Sequence, residues 1–229
     1  MSRPEPSAED AGQTVKPNLL AAFSLGHGAN DLVPIGMFLL IPGFGTAMGL
    51  SPTEIGLLFM IHSLGGAMAY LPAGILVDHV ANRGILLAAT FFWVGTGYLL
   101  ASFTDSFWAF AILIAVANTG DSAWHPLATG VLVQMHKTRR AYALGMHAIG
   151  GHVSEIIVLP LCGLFLAMWD WRLAIQVLVI PTFLVGCYFL VIRHKVPRHI
   201  TSRPTRGDAA AIWRTWANSA GLRVIAILI

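Results

Sequence analysis

The stretch Ser24–Gly36 reads S-L-G-H-G-A-N-D-L-V-P-I-G and lies inside an apolar run from about Leu19 to Phe44. A run of that length can cross a bilayer, because roughly 20 apolar residues span its hydrocarbon core. Three polar side chains, His27, Asn30 and Asp31, nevertheless lie near its middle, and their spacing of i, i+3 and i+4 places them on one face of a helix. A carboxylate at membrane depth costs roughly 2.5 to 3.5 kcal/mol, so this face is expected to line a bundle interior or a wet path through the membrane.

The composition is typical of a polytopic membrane protein. Hydrophobic residues make up 56% of the 229 residues and charged residues only 11%, a balance that a water-soluble domain of this size does not have. Basic residues exceed acidic ones by 14 to 11, but they cluster between the apolar runs, so they indicate membrane orientation, and no nucleic-acid binding is predicted. Cys162 and Cys187 lie within apolar runs and indicate no disulfide framework.

Six apolar runs predict an all-α membrane domain over residues 19–192. Residues 1–18 are expected to form a polar tail rather than a cleaved signal peptide, residues 193–208 a polar linker, and residues 209–229 the interrupted start of a seventh helix. Lysine and arginine concentrate in the tail and in the even-numbered connections, which are therefore predicted to be cytoplasmic. We expect a multi-pass protein of the cell's inner membrane with its amino terminus inside. The predicted spans are Leu19–Phe44, Ile55–Val77, Ile85–Phe103, Trp108–Met135, Ala141–Met168 and Leu173–Ile192.

The two three-helix halves of this domain resemble each other weakly. The first span contains N-D-L-V-P from Asn30 to Pro34, and the fourth contains Asn118, Asp121 and the dipeptide His125–Pro126. Polar helices interrupted by Gly or Pro at matching positions of two repeats mark the binding sites of many transporters. The sequence therefore predicts a 3+3 repeat with a binding site at these mid-depth residues.

Carboxylates are the most informative members of the intramembrane polar set. Asp31, Asp121 and Glu155 would together cost about 9 kcal/mol if they faced lipid, and helix packing does not need them. For the isolated histidines His62 and His147, a hydrogen-bonded packing role is the simpler interpretation. The whole set is His27, Asn30, Asp31, His62, Asp121, His125, His147, His152 and Glu155.

Two of these carboxylates have a histidine at i, i+4 spacing, which allows direct contact on a helix. The pairs are His27 with Asp31 and Asp121 with His125. Partial desolvation favours the protonated form of a carboxyl group, and imidazole titrates near neutral pH, so each pair could exchange a proton as access alternates. His152 and Glu155, at i, i+3, form a third pair that helix packing alone could also explain. Protons are the predicted coupling ion, and no cofactor is predicted.

The connection between the second and third spans carries a family resemblance. It reads G-I-L-V-D-H-V-A-N-R-G from Gly74 to Gly84 and resembles the loop signature G-x-L-x-D-R-x-G-R-[KR] of the major facilitator superfamily. Gly74, Leu76, Asp78 and Arg83 match, while three positions between them depart from the signature. The resemblance implies that Asp78 caps a neighbouring helix end and pairs with a basic group, which would hold one conformational state.

Further segments support the same resemblance. The fifth span is similar to the superfamily's antiporter-associated motif at Pro160 and Gly163, and H-G-A-N-D and W-H-P-L-A in the first and fourth spans look most like the fosmidomycin-resistance branch of drug exporters. The resemblance implies a transporter of two six-helix domains, with a small-molecule substrate between them at mid-membrane. The carboxy-terminal domain is then the missing partner of this chain. The implied activity is export of a small, amphipathic or anionic drug-like compound against protons.

Other interpretations of the same residues stay open. Imidazoles and carboxylates converging from several helices would also suit a transition metal, so a divalent-ion permease is the first alternative, although no span has the ligand-dense spacing of a dedicated metal site. The sequence contains neither H-E-x-x-H nor G-x-S-x-G, and an enzyme is not expected. An inactive half-transporter and a carrier of a non-drug solute are the remaining alternatives.

Overall fold

Six α-helices follow one another along the chain, and they confirm the predicted all-α, six-helix fold. The computed structural model describes residues 17–198 together with Arg214, Asn218 and Ser219, and every regular element within that part of the chain is helical. The predicted tail, most of the linker and the seventh helix lie outside the described residues. The helices are α1 (Pro17–Ala47), α2 (Pro52–His79), α3 (Arg83–Ala101), α4 (Phe107–Met135), α5 (Arg140–Met168) and α6 (Trp171–Ile192), followed by a 3₁₀ turn at Arg193–Lys195.

Short local signals define where the helices begin. At the start of α2, the Ser51 hydroxyl accepts a hydrogen bond from the Glu54 backbone N–H at 3.3 Å, and the Glu54 carboxylate accepts one from the Ser51 backbone N–H at 2.8 Å. This reciprocal capping box satisfies two of the N–H groups that a helix start leaves unpaired. Single side-chain caps begin three of the later helices, at Asn82 for α3, Ser106 for α4 and Asp170 for α6.

The packing of the helices is related between the two halves, because the first helix of each half packs against the second and third helices of the other half. The first helix, α1, packs against α5 and α6, and the fourth, α4, packs against α2 and α3, while α3 and α6 pack against each other. A three-plus-three repeat produces this pattern of neighbours. The repeat itself stays a prediction.

Two apolar cores lie on either side of a polar layer. In one core the rings of Phe44 and Phe110 stack at a centroid distance of 4.0 Å, and in the other the rings of Phe23 and Trp124 stack at 5.9 Å. Both α1 and α4 contribute to both cores. Of the polar residues of the predicted site, His27, Asn30 and Asp31 on α1 and Asp121 on α4 lie between these two contributions. Burial of the flanking apolar side chains therefore fixes the depth and rotation of the polar residues.

Five helices of the described part, all except α4, are long and apolar enough to cross a membrane. At 29 residues α4 is also long enough, but polar side chains such as Asn118, Asp121 and His125 interrupt its apolar character. Its crossing of the membrane stays a prediction. In the most apolar segment of α2, and in that of α5, only 22% is buried within the described structure. These two helices therefore have broad exposed faces.

Glycines bring two helix pairs into backbone contact. A Cβ atom added to Gly150 of α5 would lie 1.8 Å from the main-chain oxygen of Ser24 of α1, and one added to Gly65 of α2 would lie 2.2 Å from the oxygen of Ala115 of α4. Small residues permit such close approach of helices in lipid. The two contacts set the α1–α5 and α2–α4 separations, and thus the geometry of the polar layer.

Candidate functional site

Asp31 lies at the centre of a cluster built by α1 and α4. The Nε2 atom of His27 is 3.2 Å from Asp31 Oδ2, and Nε2 of His125 is 3.8 Å from Asp31 Oδ1. The same His125 nitrogen lies 3.9 Å from Asp121 Oδ2. The structure thus brings together the two i, i+4 pairs that the sequence suggested, and one imidazole lies close to both carboxylates.

Asn30 ties the two carboxylates together across the helix interface. Its side chain is fully buried, and its amide nitrogen donates to the Asp121 carboxylate and lies 3.3 Å from the Asp121 main-chain oxygen. The same nitrogen is 3.4 Å from Asp31 Oδ1. An amide nitrogen carries two N–H groups and no charge, so Asn30 holds the acids in place without neutralising them.

His147 of α5 forms a wall of the cluster. Its ring stacks on the His27 ring at a centroid distance of 4.2 Å and an interplanar angle of 16°. Its main-chain oxygen is 2.8 Å from His27 Nδ1, and its own Nδ1 is 3.2 Å from the Phe23 oxygen. A Cβ atom added to Gly151 would lie 2.8 Å from the His27 ring, so glycine leaves the space that the ring occupies. His147 therefore positions His27 rather than only filling space.

The surroundings of His27 imply an additional proton. Both of its ring nitrogens face oxygen acceptors, the His147 carbonyl on one side and the Asp31 carboxylate on the other. A neutral imidazole carries one N–H group and an ionised carboxylate carries none. Both hydrogen bonds can form only when the His27–Asp31 pair holds one further proton, either as imidazolium with carboxylate or as imidazole with carboxylic acid.

Other members of the predicted polar set lie elsewhere. The Nε2 atom of His62 is 2.7 Å from the Tyr98 hydroxyl, and Asn118 donates to the His62 main-chain oxygen at 2.9 Å. His152 and Glu155 form their predicted contact at 3.0 Å, with side chains that are 72% and 55% exposed within the described part of the chain. Helical spacing gave the contact correctly and carried no information about which way the pair faces.

Some contacts of the cluster were not identified from the sequence. The Tyr70 ring of α2 lies parallel to the His125 ring at a centroid distance of 6.4 Å. The Asn30–Asp121 and Asp31–His125 contacts join different helices. Such contacts depend on helix rotation and register, which no local sequence pattern reports.

In the α2–α3 connection, the arginine is the buried member of the predicted pair. Arg83 is 2% exposed and Asp78 is 65% exposed, with Arg83 Nη2 3.7 Å from Asp78 Oδ1. Arg83 also donates to the Val77 main-chain oxygen at 2.9 Å and to Gln134 Oε1 at 2.5 Å. Its guanidinium therefore joins the end of α2 to the end of α4. Around Gly74, an added Cβ atom would meet no described heavy atom within 4 Å, so close packing does not require glycine there.

Arg83→Ala should destabilise the bundle more than Asp78→Asn does. The alanine variant leaves the buried Val77 oxygen and the more exposed Gln134 oxygen without a charged donor, and loss of hydrogen bonds to a charged group typically costs about 1.5 to 3 kcal/mol. The exposed Asp78 contributes at most about 1 kcal/mol as half of a surface ion pair. Thermal unfolding of both variants in detergent checks this order, and equal melting temperatures would contradict the assignment of Arg83 as the structural member.

Three ligand atoms of the cluster could hold one metal ion. Nitrogen atoms of His27 and His125 and a carboxylate oxygen of Asp31 all lie within 4.8 Å of one another. Two imidazoles and one carboxylate are a donor set that zinc and other first-row transition ions accept. The cluster is therefore chemically suited to either an exchangeable proton or a divalent cation.

The fold and the cluster together indicate a class: a helical protein with membrane-length helices that enclose ionisable groups between them, as transporters have. The Major Facilitator Superfamily model matches residues 23–229, and the chain belongs to this family. The resemblance noted in the sequence is thereby confirmed. Members of the family move solutes across membranes and are generally not enzymes.

Similar proteins agree with this assignment. The Fosmidomycin resistance protein of Escherichia coli (strain K12) is 25% identical over 154 residues, covering 66% of this chain and 38% of the relative. The Probable sugar efflux transporter of Pasteurella multocida (strain Pm70) is 22% identical over 168 residues, covering 73% and 41%. The fold is similar to that of a bacterial homologue of the human lysosomal transporter Spinster, solved inward-facing and unoccupied, with a TM-score of 0.72, 16% identity and coverage of 84% and 47%. The chain matches less than half the length of each of these proteins.

Proposed function

We propose that this chain forms the proton-coupling half of a secondary transporter that exports a small, amphipathic or anionic compound in exchange for protons. The observation that supports the proposal is the placement of His27, whose Nδ1 atom is hydrogen-bonded to the His147 oxygen and whose Nε2 atom lies 3.2 Å from the Asp31 carboxylate. A pair that needs an extra proton to complete its hydrogen bonds can release that proton when the geometry changes. Such a pair, enclosed between helices, is suited to proton carriage.

In this proposal Asp31 and His27 hold the proton, and α4 supplies the groups that respond to its loss. The titratable groups nearest the pair are His125 and Asp121 from α4 and His147 from α5, and Glu155 of α5 also acts on His27 electrostatically. When the proton leaves, the His27–Asp31 pair carries a net negative charge beside Asp121, and His125 is placed to stabilise both carboxylates by donating a hydrogen bond or by taking up a proton. Asn30 keeps the acids in register across the α1–α4 interface. Rocking of this domain against the second six-helix domain would expose the pair to each side in turn.

The names of the relatives guide the choice of substrate and setting. One relative is a fosmidomycin resistance protein and another a probable sugar efflux transporter, which supports export and leaves both a drug-like compound and a sugar as substrates to test. The proposal includes location in the inner membrane with the amino terminus and the α2–α3 connection on the cytoplasmic side, as the distribution of basic residues favours. It also includes pairing with a carboxy-terminal six-helix domain.

A divalent-cation permease is the second candidate, because the His27, Asp31 and His125 ligand atoms converge within 4.8 Å. In that case the cation is the cargo and the imidazoles bind it in neutral form. The two functions make opposite predictions for His125→Gln. A metal carrier should lose ion uptake with this variant. A proton carrier should still move its substrate, because His27 and Asp31 remain to hold the proton.

The proposal can be tested in lipid vesicles that carry the reconstituted protein and enclose a dye that reports the luminal pH. Addition of fosmidomycin or a neutral sugar to wild-type vesicles should change the luminal pH, and an imposed proton gradient should drive accumulation of the same compound. Uptake of Mn²⁺ or Zn²⁺ that depends on His27 and His125, without proton movement, would support the second candidate instead. Solute transport with no change in luminal pH would rule out proton coupling.

A further inference from the structure

A second cleft lies between α1, α2 and α4, separate from the His27–Asp31 cluster. It has a volume of about 500 Å³, and its walls combine Phe38 and Phe59 with the polar side chains of His62, Ser63 and Asn118. The Phe38 and Phe59 rings are 5.9 Å apart at 40° to each other, and Phe38 is 66% exposed. Flat apolar surface and hydrogen-bonding groups therefore meet in one small space.

The hydrogen-bonding state of His62 follows from its neighbour. Tyr98 is fully buried, and its hydroxyl lies 2.7 Å from His62 Nε2. Among the described residues this nitrogen is its only hydrogen-bond partner. If Nε2 carried the proton, the Tyr98 O–H would be left without an acceptor. The hydroxyl therefore donates to Nε2, and the single proton of the neutral imidazole lies on Nδ1. His62, itself only 9% exposed, is one of the residues that line the cleft, and its Nδ1–H group has no hydrogen-bond partner among the described residues.

Ser63 and Asn118 add complementary groups. The Asn118 amide nitrogen is occupied by the His62 main-chain oxygen at 2.9 Å, while its side-chain oxygen remains free among the described residues to accept a hydrogen bond. The Ser63 hydroxyl can donate or accept. No described residue lining the cleft carries a formal charge when His62 is neutral. Binding a charged group there would leave it uncompensated.

From this arrangement we infer that the cleft binds the uncharged, hydroxyl-bearing ring portion of the transported compound. The ring packs on Phe38 and Phe59, and its hydroxyl groups bond to His62, Ser63 and Asn118. Pocket sites of this kind combine apolar walls with a few placed polar groups that fix orientation. The inference rests on the proposed transport function and specifies the class of compound that it moves.

The cleft also has a direct connection to the proton site. Asn118 precedes Asp121 by three residues on α4, about one helical turn. A Cβ atom added to Gly66 of α2 would lie 2.7 Å from the Asn118 amide and 2.6 Å from the Ser122 hydroxyl, so α2 packs tightly on this turn. A compound seated in the cleft therefore contacts the turn of α4 next to the one that carries Asp121.

Binding of radiolabelled nitrophenyl β-glucoside to the purified full chain tests the inference. This probe is uncharged and joins a flat ring to a hydroxylated one. Phe38→Ala should weaken its binding about twofold to tenfold, the contribution of one aromatic contact, and Ser63→Ala should have an effect of similar direction. Both side chains can be shortened without opening the apolar cores. Trp108→Ala, at another exposed aromatic that does not line the cleft, is the matched control and should bind like wild type.

The outcomes separate this inference from the proposed function. The nitrophenyl β-glucuronide, which carries a carboxylate in place of the C6 hydroxymethyl group, should bind more weakly than the glucoside. Equal binding of the glucoside by wild type, Phe38→Ala and Ser63→Ala, or no binding at all, would overturn the inference even if proton coupling is found. Conversely, cleft-dependent binding in a protein that moves no protons would retain the inference and remove proton coupling.

Discussion

Asp31→Asn should strongly reduce proton-driven accumulation of substrate while leaving substrate exchange in place. The amide that replaces the carboxylate has nearly the same shape, but it cannot gain or lose the proton that the His27–Asp31 hydrogen bonds require. Accumulation against a gradient should fall by about 5- to 150-fold, the factor that corresponds to typical coupling free energies between two sites. Counterflow, in which substrate inside the vesicle exchanges for labelled substrate outside, involves no net proton movement and should continue.

Asp121→Asn should give the same separation of accumulation from counterflow, because Asp121 shares Asn30 and His125 with Asp31. The matched control is Asp105→Asn, which removes a carboxylate that is 83% exposed in the α3–α4 connection and pairs there with Arg172. A surface pair of this kind contributes at most about 1 kcal/mol to stability and should not alter coupling. Full accumulation in both Asp31→Asn and Asp121→Asn would remove the proposed mechanism.

Gly150→Ala should destabilise the bundle strongly. The added Cβ atom would lie 1.8 Å from the Ser24 oxygen, a main-chain atom that can move only if α1 moves. Overpacking of this kind typically costs about 1 to 3 kcal/mol or more. The contact lies one turn from the His27–His147 stack on the same α1–α5 interface. Loss of the close approach should therefore reduce both the melting temperature and transport.

Gly145→Ala provides the control on the same helix. An added Cβ atom there meets no heavy atom within 4 Å in the described structure, and alanine is favoured over glycine within a helix by about 1 kcal/mol. Its melting temperature in detergent, followed by tryptophan fluorescence, should equal or exceed that of the wild type. If Gly150→Ala melted like Gly145→Ala, the close α1–α5 contact would not be a determinant of the fold.

The helices could be predicted from the sequence because their signals are local. Apolar length predicted each span, and caps such as Ser51 with Glu54 define where a helix starts. For α1 the predicted span, Leu19–Phe44, lies within the observed Pro17–Ala47, since the flanking residues extend the helix beyond its apolar part. Helical periodicity likewise predicted the contact between His27 and Asp31.

The assembled site could be predicted only in part, because it depends on how helices pack. His147 contributes its main-chain oxygen and the face of its ring, and neither role leaves a pattern in the sequence. The link from Asn30 to Asp121 requires the rotation of α1 and α4 about their axes to be known. His152 and Glu155 made the expected contact, but their large exposed fractions could not be predicted, since spacing within one helix says nothing about its surroundings.

Thiol labelling at positions 31 and 121 tests most directly whether water reaches the acids at mid-membrane. Asp31→Cys and Asp121→Cys would be made in a protein whose own Cys162 and Cys187 are replaced by serine. A membrane-impermeant, water-soluble thiol reagent should modify both positions, from one side or the other, and bound substrate should slow the reaction. Complete absence of labelling at both positions, from both sides and with or without substrate, would contradict the account of these carboxylates as groups on a transport path.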